Sequence, residues 1–390
     1  MSDRTYLQWP FFNDTHRQLS QDLESWSASH LGDVNHDDAD EACKSLVSAL
    51  GDAGWCRHSG IDPADRNSKL DVRSLCLIRE TLARHEGLAD FAFAMQGLGT
   101  GAISLFGTPD QQDIWLNATR SGQAISGFAL TEPQSGSDVA SSTMSARQEG
   151  ADYVLDGEKT WISNGGIADV YTVFARTGEA PGAKGLSAFI VPADTAGLEV
   201  VERLATISPH PLARLQFTDC RIGHSALLGQ QGDGFKIAMS VLDVFRPTVA
   251  AAALGFARRA LDEALDRVNA REIQGVALSE LQMVQGHIAD MSLNIDASAL
   301  LVYRAAWLKD TGASRITREA AMAKLFSTEQ AQKVIDQSVQ LHGGDGVRSG
   351  CAVEKLYREI RALRIYEGAS DVQKIIIARQ TLGAHQRGKK

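Results

Sequence analysis

Residues 363–378, LRIYEGASDVQKIIIA, place a short polar loop between two helical segments near the end of the chain. Ser370, followed three positions later by Gln373, has the spacing of a capping box, which predicts that the last helix begins at Asp371 and leaves Glu367 outside it. Apolar residues flank the loop on both sides, so partial desolvation would raise the pKa of Glu367 toward that of a useful general base. An ordinary surface glutamate is the alternative interpretation, since loop glutamates are common.

Outward from this loop, the chain divides into three blocks, residues 1–121, 122–231 and 232–390. The first block has helical periodicity, and the last has long Ala-rich helical segments. The middle block consists of short β-like runs separated by Gly, Pro, Asn and Asp, which indicates a small β-domain. We therefore predict an α+β fold, with an N-terminal helical domain, a middle β-domain and a C-terminal helical bundle.

Composition and charge exclude several classes of function. The net charge is −9 and there is no basic tract, which argues against nucleic acid as the main partner. No apolar run is predicted to reach the length of a bilayer span, and the N-terminus lacks a signal-peptide core, so we expect a cytoplasmic protein without a membrane. The five cysteines are scattered without Cys-x-x-Cys spacing, so neither disulfides nor a metal site is expected.

Three polar or glycine-rich stretches invite a functional interpretation. The run GLGTGA at 97–102 lacks a preceding buried strand, so we interpret it as close helix packing rather than a dinucleotide loop. Residues 131–138 and 161–166 combine many hydroxyl groups with an adjacent tryptophan. Turns are the structural interpretation of both, and a polar ligand with an aromatic plane is the functional one.

Five motifs, in order along the chain, resemble those of the acyl-CoA dehydrogenase family of flavoproteins. They are FALTEPQSGSDVA (128–140), KTWISNGG (159–166), DVFRPTVAAAALGFA (243–257), VQLHGGDG (339–346) and LYREIRALRIYEGAS (356–370). The resemblance implies a middle β-barrel domain, a C-terminal four-helix bundle, and FAD held where the domains meet. It also implies a homotetramer, built as a dimer of dimers.

The same resemblance implies roles for individual residues. Thr131 would hydrogen-bond the flavin ring, Ser163 would contact its N5 edge, and Trp161 would pack beside it. The distal part of FAD, belonging to a neighbouring subunit, would be held near Arg271. The full implied set of cofactor contacts is Phe128, Thr131, Ser137, Trp161, Ser163, Arg271, Gln282, Gln340, Gly343, Gly344 and Ser370. The implied substrate contacts are Ser137, Asp243, Arg246 and Gly368.

The chemistry that the resemblance implies is α,β-dehydrogenation of an acyl-CoA thioester, with electrons passed on to an electron-transfer flavoprotein. Glu367 would remove the α-proton while the β-hydrogen leaves as hydride to FAD, giving an enoyl-CoA. Hydrogen bonds to the thioester oxygen, one of them from the backbone amide of the base, would acidify the α-carbon. Some family members place the base just before the arginine of the third motif, but here that residue is Phe245, which cannot accept a proton.

Two alternatives to dehydrogenation stay open. One is a non-oxidising relative on the same fold, such as an acyl-CoA lyase, a desulfinase or a decarboxylating enzyme. The other is a non-enzymatic flavin-binding interaction protein, against which the retained Glu367 and the acidic charge both count.

Departures from the family pattern affect the expected contacts with FAD and with the acyl-CoA substrate. Gln274 stands where the family has phenylalanine, which predicts weaker FAD binding, and Ala369 replaces a threonine beside the base. Arg84 and Arg246 could contact an acidic acyl chain. The structural alternatives are a salt bridge for Arg84 and a pairing of Arg246 with Asp243.

Overall fold

The computed structural model describes residues 3–32, 34–65, 67–178 and 180–387. The helices in these ranges are α1 (Asp14–His30), α2 (Ala39–Asp52), α3 (Val72–His85), α4 (Gly87–Phe106), α5 (Pro109–Arg120), α6 (Gly234–Ala270), α7 (Gln282–Asp310), α8 (Thr317–His342), α9 (Ala352–Leu363) and α10 (Ser370–Arg387). The strands are β1 (Ser126–Ala129), β2 (Ser145–Glu149), β3 (Asp152–Ser163), β4 (Val170–Arg176), β5 (Leu186–Pro192), β6 (Leu198–Arg203), β7 (Leu212–Gly223), β8 (Leu227–Leu228), β9 (Glu272–Ile273) and β10 (Val276–Ala277). The predicted order of helices, then strands, then helices is confirmed.

Two compact units make up the chain. The helical unit comprises residues 1–33, 71–90 and 243–390, and the sheet unit comprises residues 34–70 and 91–242. The N-terminal helices are therefore divided between the two units: α1 and α3 belong to the helical unit, and α2 and α5 belong to the sheet unit. The three-domain division by sequence stays a prediction beside this grouping by contact.

The sheet unit is built on one eight-stranded sheet, ordered β6-β7-β3-β2-β4-β5-β8, with β1 parallel to β4. Strands β4 and β5 are apolar almost throughout and buried along nearly their whole length, as strands covered on both faces are. Strand β6 lies at the edge and is mostly exposed, and its charged side chains suit a strand that must not pair further.

The helical unit is organised around α8, which packs against α7, α9 and α10. Two buried ion pairs stand out among the described residues of this unit. Glu80 accepts from Arg258 at 2.7 Å, and Arg79 binds Asp90 through two hydrogen bonds of 2.8 and 2.7 Å. Such pairs are costly to break, because either partner alone would be a buried, uncompensated charge.

Helix α6 is apolar enough to satisfy the length and composition test for a membrane span, with a mean hydropathy of 1.5. This corrects the expectation that no apolar run in the chain reaches that length. However, 83% of its most apolar window is buried inside the protein, as in the core helix of a folded protein. Alanines 250–253 in its middle have no exposed surface.

Candidate active site

The loop between α9 and α10 holds Glu367 in an unusual backbone conformation. Glu367 has φ +52° and Gly368 has φ +92°, so two successive residues are left-handed. That conformation is uncommon for a residue with a side chain, and such residues cluster at functional sites. Glycine is favoured at 368, because its φ is left-handed and an added Cβ would lie 2.5 Å from Nε2 of Gln373, which would have to move.

Side chains from three helices hold this loop by its carbonyl groups. Lys324 of α8 donates from Nζ to the Gly368 oxygen at 2.9 Å. Gln373 of α10 donates to the same oxygen at 2.8 Å and to the Glu367 oxygen at 3.2 Å. Arg246 of α6 donates from Nε to the Glu367 oxygen at 3.3 Å. We call Lys324, Gln373 and Arg246 the loop clamp.

The capping box predicted at the start of the last helix is wrong. Helix α10 begins at Ser370, one residue earlier than expected. The Ser370 hydroxyl donates to Glu329 and to the Arg364 carbonyl instead of capping the helix. Gln373 instead donates its side-chain amide to the carbonyl oxygens of Glu367 and Gly368 in the loop.

The carboxylate of Glu367 lies in an environment that suits a base. Its Oε2 atom is enclosed and has no hydrogen-bond partner among the described residues. Burial raises the pKa of Glu367, while the positive charges of Arg79, Lys324 and Arg246 oppose that rise. In the same described part of the chain, no acceptor bonds the Glu367 N–H. The loop therefore offers an accepting carboxylate and a free donor side by side.

The predicted substrate residues of the helical unit lie together at this loop. Arg246 is buried and, besides its bond to the loop, pairs with Asp243 at 3.6 Å. Asp243 also accepts from the Thr317 hydroxyl at 2.7 Å. Phe245, in the position that carries the base in some family members, is buried. The pairing of Arg246 with Asp243 is the structural alternative stated above, and it leaves Arg246 beside Glu367.

Arg84 is engaged away from this loop. Its guanidinium bonds Asp262 at 2.7 Å and Glu24 at 3.4 Å. The structural interpretation of Arg84, a salt bridge, is therefore what the structure shows, and Arg84 does not serve as a free cation for an acidic acyl chain.

The predicted distal cofactor residues converge at another end of the helical unit. An apolar cluster of Val268, Leu278 and Val284, with Leu341 against it, joins the end of α6, the start of α7 and the end of α8. Arg267 ties the same ends together by donating to the His342 carbonyl at 3.1 Å. The predicted residues at this end are all exposed: Arg271, Gln282, Gln340, Gly343 and Gly344.

Gly343 and Gly344 at this end are not explained by packing against the described residues. Gly343 has φ +62°, and an added Cβ at Gly343 or Gly344 would meet no atom within 4 Å. Gln274 and Gly275 form the turn of the β9–β10 hairpin with φ +53° and +82°, the signs of a type I′ turn. Gln274 is exposed there. This open surface fits a ligand or a neighbouring chain close to the backbone.

In the sheet unit, the two predicted flavin motifs run side by side. The Thr131 carbonyl accepts from the Thr160 N–H at 2.9 Å. A Cβ at Gly127 would lie 3.2 Å from the Ser163 oxygen. Phe128, Thr131 and Ser163 are all half-buried near this line, and Ser137 is exposed on the loop that follows.

Trp161 is the most unusual residue of these motifs. It has φ +58° and lies where the β3–β7 register shifts, between Lys159 and Ile162. The side chain is 58% exposed. A strained backbone that presents an exposed aromatic ring is the arrangement expected beside a flat ligand, so these residues fit a flavin ring.

Behind this surface lies a buried ion pair that sequence reasoning missed. Lys159, with no exposed surface, donates to Glu132 at 2.8 Å and to the Leu130 carbonyl at 3.0 Å. Glu132 also accepts from the backbone N–H groups of Thr143 and Met144. Burial lowers the pKa of Lys159 to about 8. The pair fixes the loop that carries Thr131.

Sequence reasoning also missed Lys324. A signal was available, because Ala320, Ala321 and Ser327 lie three or four positions from it and mark the core-facing side of the helix. A lysine on that face has to find a buried acceptor.

Sequence models of three acyl-CoA dehydrogenase domains match the chain. The N-terminal domain model matches residues 13–123, the middle domain model 127–220 and the C-terminal domain model 232–382. The human mitochondrial short-chain specific acyl-CoA dehydrogenase is 40% identical over 322 residues, which are 81% of this chain and 77% of that protein.

Solved structures agree in fold. A structure reported for the electron transferring flavoprotein of Acidaminococcus fermentans matches with a TM-score of 0.88 and 33% identity, covering 95% of this chain and 98% of that one. A glutaryl-CoA dehydrogenase from Mycobacterium smegmatis in complex with FADH2 matches with a TM-score of 0.87 and 26% identity, covering 96% of both. The chain therefore belongs to the acyl-CoA dehydrogenase family of FAD-dependent oxidoreductases.

Proposed function

We propose that this chain dehydrogenates an acyl-CoA thioester at its α and β carbons, with Glu367 as the base. The observation that carries this proposal is the loop geometry: an enclosed carboxylate oxygen and a backbone N–H, neither of which has a hydrogen-bond partner among the described residues. A carboxylate whose pKa is raised by burial accepts a proton more readily at neutral pH. The Glu367 N–H can bind the thioester oxygen, where negative charge develops as the α-proton leaves.

FAD, when bound, would accept the β-hydrogen as hydride. The flavin ring would be contacted by Trp161, Thr131 and Ser163. Two further cofactor contacts would come from Phe128 and Ser137. The distal part of the cofactor would be held by the exposed residues Arg271, Gln282, Gln340, Gly343 and Gly344. Ser370, which directly follows the loop that carries the base, is the remaining proposed cofactor contact. The protein's part is to bind, orient and exclude water around the reacting atoms.

The substrate and partner are part of the same proposal. The human relative named above is short-chain specific, which supports a short acyl-CoA as the first substrate to test. Asp243, Arg246, Gly368 and Ser137 are the substrate contacts proposed here. An electron-transferring flavoprotein is the electron acceptor proposed here, and a chain similar to this one comes from a structure reported under that name. A cytoplasmic location also stays a proposal, resting on sequence.

The test is anaerobic mixing of the FAD-loaded protein with a panel of acyl-CoAs, following loss of visible flavin absorbance. We expect wild type to bleach and Glu367→Gln to bind acyl-CoA but reduce flavin 10²- to 10⁴-fold more slowly, because the nearly isosteric amide cannot accept a proton. Glu354→Gln is the matched control. It removes the same charge from α9, where Glu354 pairs with Arg358, and should bleach like wild type.

Two results would contradict the proposal. Near-normal bleaching by Glu367→Gln would mean a different base. Turnover of an acyl-CoA by wild type without any bleaching would favour elimination or non-oxidative decarboxylation on the same fold, since neither of these reactions leaves electrons on the flavin.

A further inference from the structure

Lys324 is a buried charge that the proposed chemistry does not use. It has no exposed surface, and it lies on the core-facing side of α8 between alanines and serines. A lysine in such a place is costly, and burial lowers its pKa to about 8. Its one hydrogen-bond acceptor among the described residues is the carbonyl oxygen of Gly368, at 2.9 Å.

That carbonyl belongs to the residue next to Glu367, in the left-handed part of the loop. Left-handed backbone at Glu367 is unfavourable by itself and persists only where its surroundings impose it. Two donors, Lys324 and Gln373, meet at the Gly368 oxygen, while Arg246 and Gln373 bond the Glu367 oxygen. The clamp thus fixes the peptide planes on both sides of Gly368.

We propose that Lys324 is a positioning residue for the base: it holds the 367–368 backbone in its left-handed conformation and supplies a positive charge to the Glu367 carboxylate. The first half of this role concerns the folded chain by itself. The second half rests on the proposed function, because it matters only if Glu367 abstracts a proton.

Several charged groups act on this pair. Around Glu367 they are Arg79, Lys324, Arg246 and Asp90. Around Lys324 they are Glu367, Arg246, Glu329 and Arg364. Lys324 lowers the pKa of Glu367 against the rise that burial causes. Removing the lysine charge should therefore raise the pKa of Glu367 further, so the rate of flavin reduction would reach its plateau at a higher pH.

The experiment compares wild type with Lys324→Met, Gln373→Met and Lys333→Met. Lys324→Met removes a donor and a charge, whereas Gln373→Met removes only a donor. Lys333→Met, the control, removes an exposed lysine from the same helix. Amide hydrogen exchange of the 364–373 segment is measured without substrate. Flavin reduction is then measured over a pH series, together with binding of an unreactive acyl-CoA thioether.

We expect exchange of the segment to accelerate about 10-fold in Lys324→Met and Gln373→Met, and to be unchanged in Lys333→Met. Flavin reduction should fall about 10- to 100-fold in both clamp variants, with thioether binding within about threefold of wild type. The pH at which the rate reaches half its plateau should move upward in Lys324→Met and stay in Gln373→Met.

The proposal would be overturned if amide hydrogen exchange of the 364–373 segment in Lys324→Met were as slow as in wild type. It would also be overturned if exchange were faster but the rate of flavin reduction and its pH profile were unchanged. If Lys324→Met does not fold, Gln373→Met still tests the clamp by the same exchange measurement. If wild type itself fails to reduce flavin with any acyl-CoA, the proposed function fails, while hydrogen exchange decides the loop-holding role independently.

Discussion

At the scale of single residues, Gly368 carries two constraints that can be separated. One is its φ of +92°, and the other is the 2.5 Å approach of Gln373 Nε2 to any added Cβ. Gly350 has nearly the same φ, +89°, but open space around it. The two glycines therefore form a natural pair for telling backbone strain from the loss of the clamp.

We predict that Gly350→Ala costs about 1 kcal/mol of stability and leaves flavin reduction unchanged, since only left-handed strain is introduced. Gly368→Ala should cost more and slow flavin reduction at least about 10-fold, because the methyl group displaces Gln373 from the loop carbonyls. Denaturant unfolding and anaerobic stopped-flow reduction measure the two effects. Equal reduction rates in the two variants would contradict the clamp geometry.

At the scale of elements, the sequence predicted the long, strongly periodic helices well and missed what depends on distant neighbours. Helix α4 has a weak local signal in the sequence, because its second half is rich in glycine, a poor helix former. The structure shows why glycine is needed there: a Cβ at Gly99 would lie 2.4 Å from Ser126 Oγ, and the Gly99 carbonyl accepts from Thr172. The interpretation of this run as close packing, rather than as a dinucleotide loop, agrees with that geometry.

In the candidate site, too, local features could be predicted from the sequence, and features that depend on distant residues could not. A polar loop holding Glu367 between two helices could be predicted from local pattern. The left-handed backbone, the clamp from Lys324 and the bulge at Trp161 could not, because each depends on residues far along the chain. Lys324 lies 44 positions from Gly368, and the bulge depends on the register of β3 against β7.

Strand β3 allows an element-scale prediction through its buried ion pair. Lys159→Met should destabilise the protein by about 3–5 kcal/mol, because Glu132 is left buried without its cation. Adding Glu132→Gln should recover part of that loss, since no charge then stays buried. Denaturant unfolding of the two single variants and the double variant checks this. If the double variant is no more stable than Lys159→Met, the loss comes from packing and not from the charge on Glu132.

At the scale of the whole molecule, the residues predicted to hold the distal part of FAD are exposed on the surface of a single chain. Arg271, Gln340 and Gly343 lie at one end of the helical unit, exposed and with open space around the glycine. A tightly held dinucleotide needs to be enclosed on more than one side. The exposed residues at this end supply one such side. A homotetramer, in which neighbouring chains share each FAD, is the prediction that resolves this.

The last prediction is that purified protein is yellow and tetrameric, and that Arg271→Ala weakens FAD binding by about 10-fold or more, because a guanidinium–phosphate hydrogen bond contributes about 1.5–3 kcal/mol. Arg315→Ala is the control, since Arg315 is equally exposed but lies in the loop before α8. Light scattering measures the assembly, and fluorescence of released FAD measures affinity. If each FAD is shared, apoprotein should assemble less tightly than FAD-loaded protein, by mass action. A yellow monomer, or equal FAD loss in both variants, would place the cofactor's distal part elsewhere.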